Sequence, residues 1–190
     1  VRKFHEAGGE AVIAEAIYSG IQKKTENDHI PFDAYIGSIA RRDWKERRIL
    51  LPSVVVAQAI KESCWGTSEL ARNAKALFGI KLNGWKGKTY IKSATEQKPD
   101  GSIYQVENTI WRAYDSWEQS VIDHNDYIAT RSTDGGKTLR YAEIIGCTDY
   151  KKVCAGLQSC GYATAINYGE SLIRDYIEKY HLSMFDEYPL

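Results

Sequence analysis

The spacing of apolar positions divides the chain into helical stretches on either side of one strand-like segment. Apolar residues recur every three to four positions in residues 10–24 and 32–48, so an amphipathic helix is predicted in each. Residues 53–66 and 68–79 predict two further helices, the first of them largely apolar and buried in spite of three consecutive valines. Helical spacing returns after the strand-like segment, over residues 116–130.

Residues that start and stop helices support these boundaries. Ser53 and Ser68 each precede a helical pattern and are predicted as N-caps, because a serine oxygen can accept a hydrogen bond from a free N–H of the first turn. Gly66 and Gly79 are predicted to end the same two helices, since glycine readily takes the left-handed conformation at a helix end.

The strand-like segment covers residues 84–114. It is rich in Gly, Thr, Tyr, Ile and Trp, its flanks alternate like strands, and Pro99-Asp100-Gly101 in its middle is turn chemistry. A β-hairpin is therefore predicted between the helices. A loop at 134–136 and two or three short helices ending near Leu182 follow, so we expect an α+β fold that is mostly α-helical with one small β lobe.

Composition and charge narrow the classes of partner. The 190 residues are 43% hydrophobic and 26% charged, which is ordinary for one folded globular domain. Lys plus Arg and Asp plus Glu both number 25, so no net field favours nucleic acid or anionic lipid. No apolar stretch approaches the roughly 20 residues that a membrane span needs. We expect no nucleic-acid partner and no membrane insertion.

The start of the chain and the cysteine spacing give little information about the protein's class. Residues 1–31 begin with Val1 and lack a signal-peptide pattern, so we expect a monomeric fragment of a longer polypeptide. The four cysteines lack the spacing of a zinc site. One disulfide among Cys147, Cys154 and Cys160 and four free thiols, including Cys64, both remain open.

One carboxylate stands out within an apolar pattern. Gln58, Glu62 and Trp65 lie at i, i+4 and i+7 and are predicted to share one face of a helix whose other positions are almost all apolar. Such a carboxyl group either pairs with a cation, for instance Arg72, or has its pKa raised. A raised pKa suits the general acid of a glycosidase, and both interpretations stay open on spacing alone.

An ordered series of motifs surrounds Glu62 and continues towards the C-terminus. The motifs are Pro52-Ser53, Ala57-Gln58-Ala59, Glu62-Ser63, Trp65-Gly66, Ser68 with Leu70-Ala71, Leu77-Phe78-Gly79-Ile80-Lys81, Trp111-Arg112-Ala113-Tyr114-Asp115-Ser116, Ser120 with Asp123-His124, Gly161-Tyr162-Ala163-Thr164, and Asn167-Tyr168. In this order they resemble the signature of glycoside hydrolase family 73, the endo-β-N-acetylglucosaminidases of bacterial cell walls and phages. The resemblance covers roughly residues 32–182.

The resemblance implies specific roles. It implies a lysozyme-like catalytic domain over 32–190, preceded by a helical extension at 1–31, that cuts the β-1,4 bond between N-acetylglucosamine and N-acetylmuramic acid in peptidoglycan without metal or cofactor. Glu62 matches the general acid. Glu96 matches the second carboxylate, with Glu107 as the alternative, and Tyr162 matches a tyrosine close to the acid.

Further residues are predicted to line a sugar groove, because aromatic rings suit sugar faces. The predicted substrate-binding residues are Gln58, Trp65, Phe78, Trp85, Tyr114 and Tyr168. Phe78 is as well suited to packing behind the catalytic helix, and Asp123 and His124 are interpreted as structural. The chain departs from the family pattern at Cys64, where glycine is usual, and at Ala165-Ile166, where Asp-Pro is common.

Several alternatives remain at the level of sequence. The route can be retaining, inverting or assisted by the substrate's own acetamido group. A muramidase or lytic transglycosylase would use a similar helix-borne Glu. Less favoured are a peptidase with Cys64 and His124 as its pair and a non-catalytic wall-binding module. The expected site of action is extracellular, at the cell wall.

Overall fold

The computed structural model describes residues 31–97, 101–163 and 165–187. The helix predicted over 10–24 and nearly all of the predicted extension at 1–31 lie outside these residues. The elements in chain order are α1 (Phe32–Arg47), α2 (Pro52–Ser63), α3 (Glu69–Asn73), β1 (Thr89–Ile91), β2 (Ala94–Gln97), β3 (Ile103–Val106), β4 (Ile110–Arg112), α4 (Trp117–Thr130), α5 (Tyr150–Ser159), α6 (Tyr168–Ser171), a π-helical segment (Leu172–Glu178) and a 3₁₀ turn (Leu182–Phe185).

Helix α2 is the centre of the helical body. Every residue from Pro52 to Ile60 is buried, because α1, the π-helical segment and the 3₁₀ turn all pack against it. Burial of so many apolar side chains outweighs the weak helix propensity of its three valines. The predicted buried helix is confirmed, and it holds Glu62 at its last turn.

The start of α2 differs from the prediction. Pro52 occupies the first helical position, which its fixed φ favours, so the helix begins before Ser53 and Leu51 stands at the cap position without a side-chain cap. The N–H of Ser53 donates instead to Asp186 Oδ1 at 2.8 Å. The prediction of Ser53 as N-cap is therefore wrong, because a distant carboxyl group serves the helix start.

The end of α2 also differs. Cys64 and Trp65 both have left-handed backbones, with φ of 54° and 58°, so the helix ends at Ser63 and not at Gly66. Trp65 therefore does not continue the helical face of Gln58 and Glu62, and that part of the prediction is wrong. The turn instead directs Trp65 towards the rings of Phe32 and Tyr180.

Helix α3 confirms its predicted start but not its end. Ser68 accepts a hydrogen bond from the N–H of Ala71 at 3.2 Å and is the predicted N-cap. The helix stops at Asn73, well before Gly79, because Lys75 is left-handed and the N–H of Leu77 donates to Ser120 Oγ on α4. A tertiary contact has thus replaced the last turns of the predicted helix.

The predicted β lobe is confirmed as two antiparallel ladders. β1 pairs with β4, with Tyr90 opposite Trp111, and β2 pairs with β3, with Glu96 opposite Tyr104. All four residues of β3 are exposed. Most of the predicted turn at 99–101 lies outside the described residues.

The helices predicted after the β lobe are also confirmed. Helix α4 follows the predicted 116–130 segment, and short helices close the chain up to the 3₁₀ turn. The four cysteines are free thiols. In residues 31–97, 101–163 and 165–187, every helix is too short or too polar to span a bilayer. The mostly helical α+β fold is confirmed.

Candidate active site

Glu62 shares a hydrogen-bond network with two residues that the sequence assigned to substrate binding. The hydroxyl of Tyr168, at the start of α6, donates to Glu62 Oε1 at 2.7 Å. Gln58 lies one turn before Glu62, is fully buried, and donates from Nε2 to the same hydroxyl at 3.1 Å. Gln58 therefore acts on Glu62 through Tyr168, whose single proton points at the carboxyl group.

The environment of Glu62 raises its pKa above the ordinary 4.5. Burial is the largest cause, and it outweighs the hydrogen bond from Tyr168 and the charge of Lys61, which both lower the pKa. The side chain of Glu62 nevertheless keeps access to solvent, so a ligand can reach its carboxyl group. Its hydrogen-bond partner is Tyr168 and not Arg72, so the arrangement matches the general-acid interpretation better than the ion-pair one.

Tyr162 lies on the other side of Tyr168. The two tyrosine rings are 5.6 Å apart, and the hydroxyl of Tyr162 is 3.2 Å from His124 Nε2. Burial and the nearby charge of Glu62 raise the pKa of Tyr162 well above its usual value, so its phenol is neutral. Tyr162 is thus brought close to the proposed acid, as the sequence motif implied.

Lys61 is a neighbour of Glu62 that sequence reasoning did not single out. Its ammonium nitrogen donates to Ser171 Oγ at 3.1 Å and lies 5.6 Å and 5.3 Å from the ring centres of Tyr168 and Tyr176. These distances are typical of cation–π contacts. The only signal in the sequence was its position beside Glu62.

Trp65 forms an aromatic corner at the end of α2. Its ring meets that of Tyr180 edge-on at 4.9 Å and that of Phe32 at 6.2 Å. It is 37% exposed, so part of its face is available to a ligand. A flat, half-exposed ring close to a carboxylic acid is suited to packing on a sugar.

Three other predicted groove residues are held in internal contacts. Phe78 is buried and stacks on His124, with ring centres 3.9 Å apart. Tyr114 is buried and donates to Asp123 Oδ2 at 2.7 Å, while Trp85 is half-buried and packs against the ring of Tyr114 at 5.6 Å. These contacts tie the β lobe to α4 and leave Trp85 as the most accessible of the three.

The proposed second carboxylate lies in the β lobe. Glu96 is on β2, opposite Tyr104 of β3. Glu107 follows β3, is exposed, and accepts a hydrogen bond from Ser93 Oγ at 2.6 Å. The fold thus places both candidates on the lobe and Glu62 on the helical body.

The contacts of His124 bear on the peptidase alternative. His124 is fully buried, Nδ1 is 3.1 Å from Asn125 Oδ1 and Nε2 is 3.2 Å from the hydroxyl of Tyr162. Both ring nitrogens are therefore engaged, and neither is available to activate the thiol of Cys64. The predicted structural role of Asp123 agrees with its contact with Arg112, whose Nη1 donates to both carboxylate oxygens, at 2.9 and 3.0 Å.

A separate cavity of about 460 Å³ lies between α5 and α6. Its lining residues are Ala155, Gln158, Ser159, Gly169, Glu170 and Ile173. None of the predicted site residues contributes to it. The ordered sequence motifs and the hydrogen-bond network of Gln58 and Tyr168 meet at Glu62, so we place the candidate site there.

Comparison with known proteins now defines the class. The family described as "Mannosyl-glycoprotein endo-beta-N-acetylglucosaminidase" matches residues 37–182, which is most of the chain. The chain belongs to this glucosaminidase family of glycoside hydrolases, as the resemblance to family 73 predicted.

Individual relatives agree on the family but differ in their names. The chain is 36% identical over 142 residues to the exo-glucosaminidase LytG of Bacillus subtilis, covering 75% of this chain and 48% of that protein. It is 34% identical over 157 residues to a probable N-acetylmuramidase of Lactococcus lactis, covering 81% of this chain and 35% of that protein. The chain thus spans about half or less of the length of these relatives.

A solved structure supports the same assignment. The catalytic domain of the autolysin Auto from Listeria monocytogenes superposes with a TM-score of 0.69 at 27% identity, covering 88% of this chain and 96% of that domain. The similarity therefore extends over nearly the whole of a catalytic domain.

Proposed function

We propose that this chain hydrolyses the β-1,4 linkage between N-acetylglucosamine and N-acetylmuramic acid in peptidoglycan, with Glu62 as the general acid. The observation that carries the proposal is the Glu62 carboxyl group, whose pKa is raised by burial and which is held by the hydroxyl of Tyr168. A carboxylic acid that keeps its proton near neutral pH can protonate the departing sugar oxygen. The names of the relatives and the family support peptidoglycan as the substrate.

The second carboxylate completes the proposal. Glu96 is preferred over Glu107 because it matches the family position. As nucleophile it would need to approach Glu62 to about 5–5.5 Å, and as a base for water to about 6.5–9.5 Å. Tyr162 holds the substrate's acetamido group or a water beside the same bond. The chain acts as a monomer at the cell wall, as part of a longer polypeptide.

A muramidase is the second candidate, and one observation favours it. The Lactococcus relative carries the name of an N-acetylmuramidase, which cuts the other glycan linkage. Mass spectrometry of digested peptidoglycan distinguishes the two activities. A new reducing end of N-acetylglucosamine supports our proposal, whereas muramic acid or its anhydro form supports the alternative.

Loss of turbidity of purified cell walls tests the acid. Glu62→Gln keeps the shape and the acceptor for Tyr168 but cannot give up a proton, so we expect a loss of at least ~10²-fold. Cys64→Ser is the matched control on the adjacent residue and should retain activity. Glu96→Gln should lose much more activity than Glu107→Gln. Full activity of Glu62→Gln with loss in Cys64→Ser would exclude a glycosidase.

A further inference from the structure

A buried row of hydrogen bonds runs from α1 through α4 to Tyr162. Asn125 Nδ2 donates to Asp43 Oδ2 at 2.7 Å, and Asn125 Oδ1 is 3.1 Å from His124 Nδ1. His124 Nε2 is in turn 3.2 Å from the hydroxyl of Tyr162. Asp43, Asn125 and His124 are at most 4% exposed, so water cannot substitute for a mismatched partner in this row.

The donors and acceptors of the row have only one consistent order. The Asp43 carboxylate also accepts from Arg47 Nε at 2.5 Å, so it offers acceptors only and must face the NH₂ of Asn125. The oxygen of Asn125 then faces His124 and accepts from Nδ1–H. A neutral imidazole with its proton on Nδ1 has a lone pair on Nε2, so the hydroxyl of Tyr162 must donate to it.

Burial supports the neutral state of this imidazole. It lowers the pKa of His124 to about 4, and the stacked ring of Phe78 covers one face. With a single ring proton, the tautomer follows from the partner at Nδ1.

We propose that Asp43 and Asn125 are positioning residues that hold His124 as the Nδ1–H tautomer and thereby make Tyr162 a hydrogen-bond acceptor towards a ligand bound beside Glu62. Tyr168 has the opposite polarity, because its hydroxyl accepts a hydrogen bond from Gln58 and donates one to Glu62. Tyr168 is buried, whereas Tyr162 is half-buried and has lone pairs to offer, so Tyr162 receives an N–H or O–H group of the ligand. This use of Tyr162 rests on the proposed function, whereas the tautomer of His124 does not.

Nitrogen-15 NMR of the histidine rings tests the tautomer without any substrate. The chain has four histidines, and the His124 signals are assigned by their loss in His124→Gln. We expect Nδ1–H in the parent protein and also in Tyr162→Phe, because the tautomer is set from the Asp43 end. An Nε2–H tautomer in the parent protein overturns the proposal whether or not the chain is a glucosaminidase.

Asp43→Asn should reverse the order of donors and acceptors in the row, starting from the end opposite Tyr162. The new amide must turn its oxygen to Arg47 and its NH₂ to Asn125, which forces the Asn125 amide to rotate and His124 to accept at Nδ1. We expect the Nε2–H tautomer in this variant and on the order of a tenfold loss in kcat/KM on glycan fragments, the effect of one mismatched hydrogen bond. An unchanged Nδ1–H tautomer overturns the proposal.

The double variant Asp43→Asn/Asn125→Asp restores the original order. The amide at 43 donates to the carboxylate at 125, which again accepts from His124 Nδ1–H, so in mildly alkaline buffer the tautomer and most of the lost activity should return. If Asp43 and Asn125 only stabilised the fold, the activity losses of the two single substitutions would instead add up in the double variant. Asp126→Asn is the matched control, because Asp126 is an exposed carboxylate that contacts the same Arg47 but lies outside the row. It should change neither the tautomer nor kcat/KM.

Discussion

At the scale of single residues, opposing influences set the protonation of Glu62. Burial raises its pKa, and the hydroxyl of Tyr168 and the charge of Lys61 lower it, with Tyr168 the stronger of the two. A general acid works only while protonated, so activity falls as pH rises through the pKa of Glu62. Tyr168→Phe removes an influence that lowers the pKa. We therefore expect the alkaline limb of the kcat/KM profile to move to higher pH.

Lys61→Gln provides a graded comparison for the same measurement. It should shift the alkaline limb in the same direction as Tyr168→Phe but by less. A shift to lower pH in either variant, or a larger shift for Lys61→Gln, would contradict the assignment of this limb to Glu62.

Sequence alone led to some of these residues and not to others. Glu62, Tyr162 and Tyr168 were accessible because they stand in ordered motifs. Asp43 left a weaker signal, since it occupies a buried position in the helical series Ile36, Ile39 and Ala40, where an apolar residue is expected. Its partner Asn125 left no signal in the sequence, because the pairing of α1 with α4 is a tertiary contact.

At the scale of elements, α6 depends on close contact with α5. A Cβ built on Gly169 would lie 2.4 Å from the carbonyl oxygen of Cys154, and a backbone oxygen cannot rotate aside. Gly169→Ala should therefore push α6 away, destabilise the fold by about 1–3 kcal/mol and move the adjacent Tyr168 off Glu62. Urea unfolding and wall-lysis assays measure both effects.

Glu170→Ala is the control for the same helix. Glu170 is exposed, so its removal should change the free energy of unfolding by less than about 0.5 kcal/mol and leave lysis intact. Equal behaviour of the two variants would show that α6 tolerates displacement and that Tyr168 is not held by this contact.

Element boundaries mark the limit of prediction from sequence. The periodicity identified α1, α2, α4 and the β lobe, because burial of one face dictates that pattern. It placed the end of α3 wrongly at Gly79, since Ser120 of α4 takes the N–H of Leu77. It also missed that Asp186 serves the start of α2 from the far end of the chain.

At the scale of the whole molecule, the two carboxylates of the proposed reaction lie on different parts of the fold. Glu62 belongs to the buried α2, whereas Glu96 belongs to the outer ladder of the lobe, formed by β2 and β3. The residues of β3 are all exposed. An element with so little burial contributes little to folding free energy. We therefore expect the fold to survive removal of the outer ladder, with the inner pair of β1 and β4 retained.

Replacement of residues 95–105 by an Asn-Gly turn between Ala94 and Val106 tests this separation. Buried Ala94 is retained, and an Asn-Gly turn suits a two-residue hairpin. We expect the thermal midpoint, followed by circular dichroism, to fall by only a few degrees, which corresponds to a loss on the order of 1 kcal/mol in the free energy of unfolding. Wall lysis should be lost together with Glu96. Glu96→Gln in the intact hairpin is the matched variant. If it stays active while the shortened protein does not, the lobe acts by contact with the glycan. If the shortened protein still lyses walls, the second carboxylate lies elsewhere, and Glu107 is then the nearest candidate. A large fall in the thermal midpoint would instead show that the outer ladder belongs to the folding core.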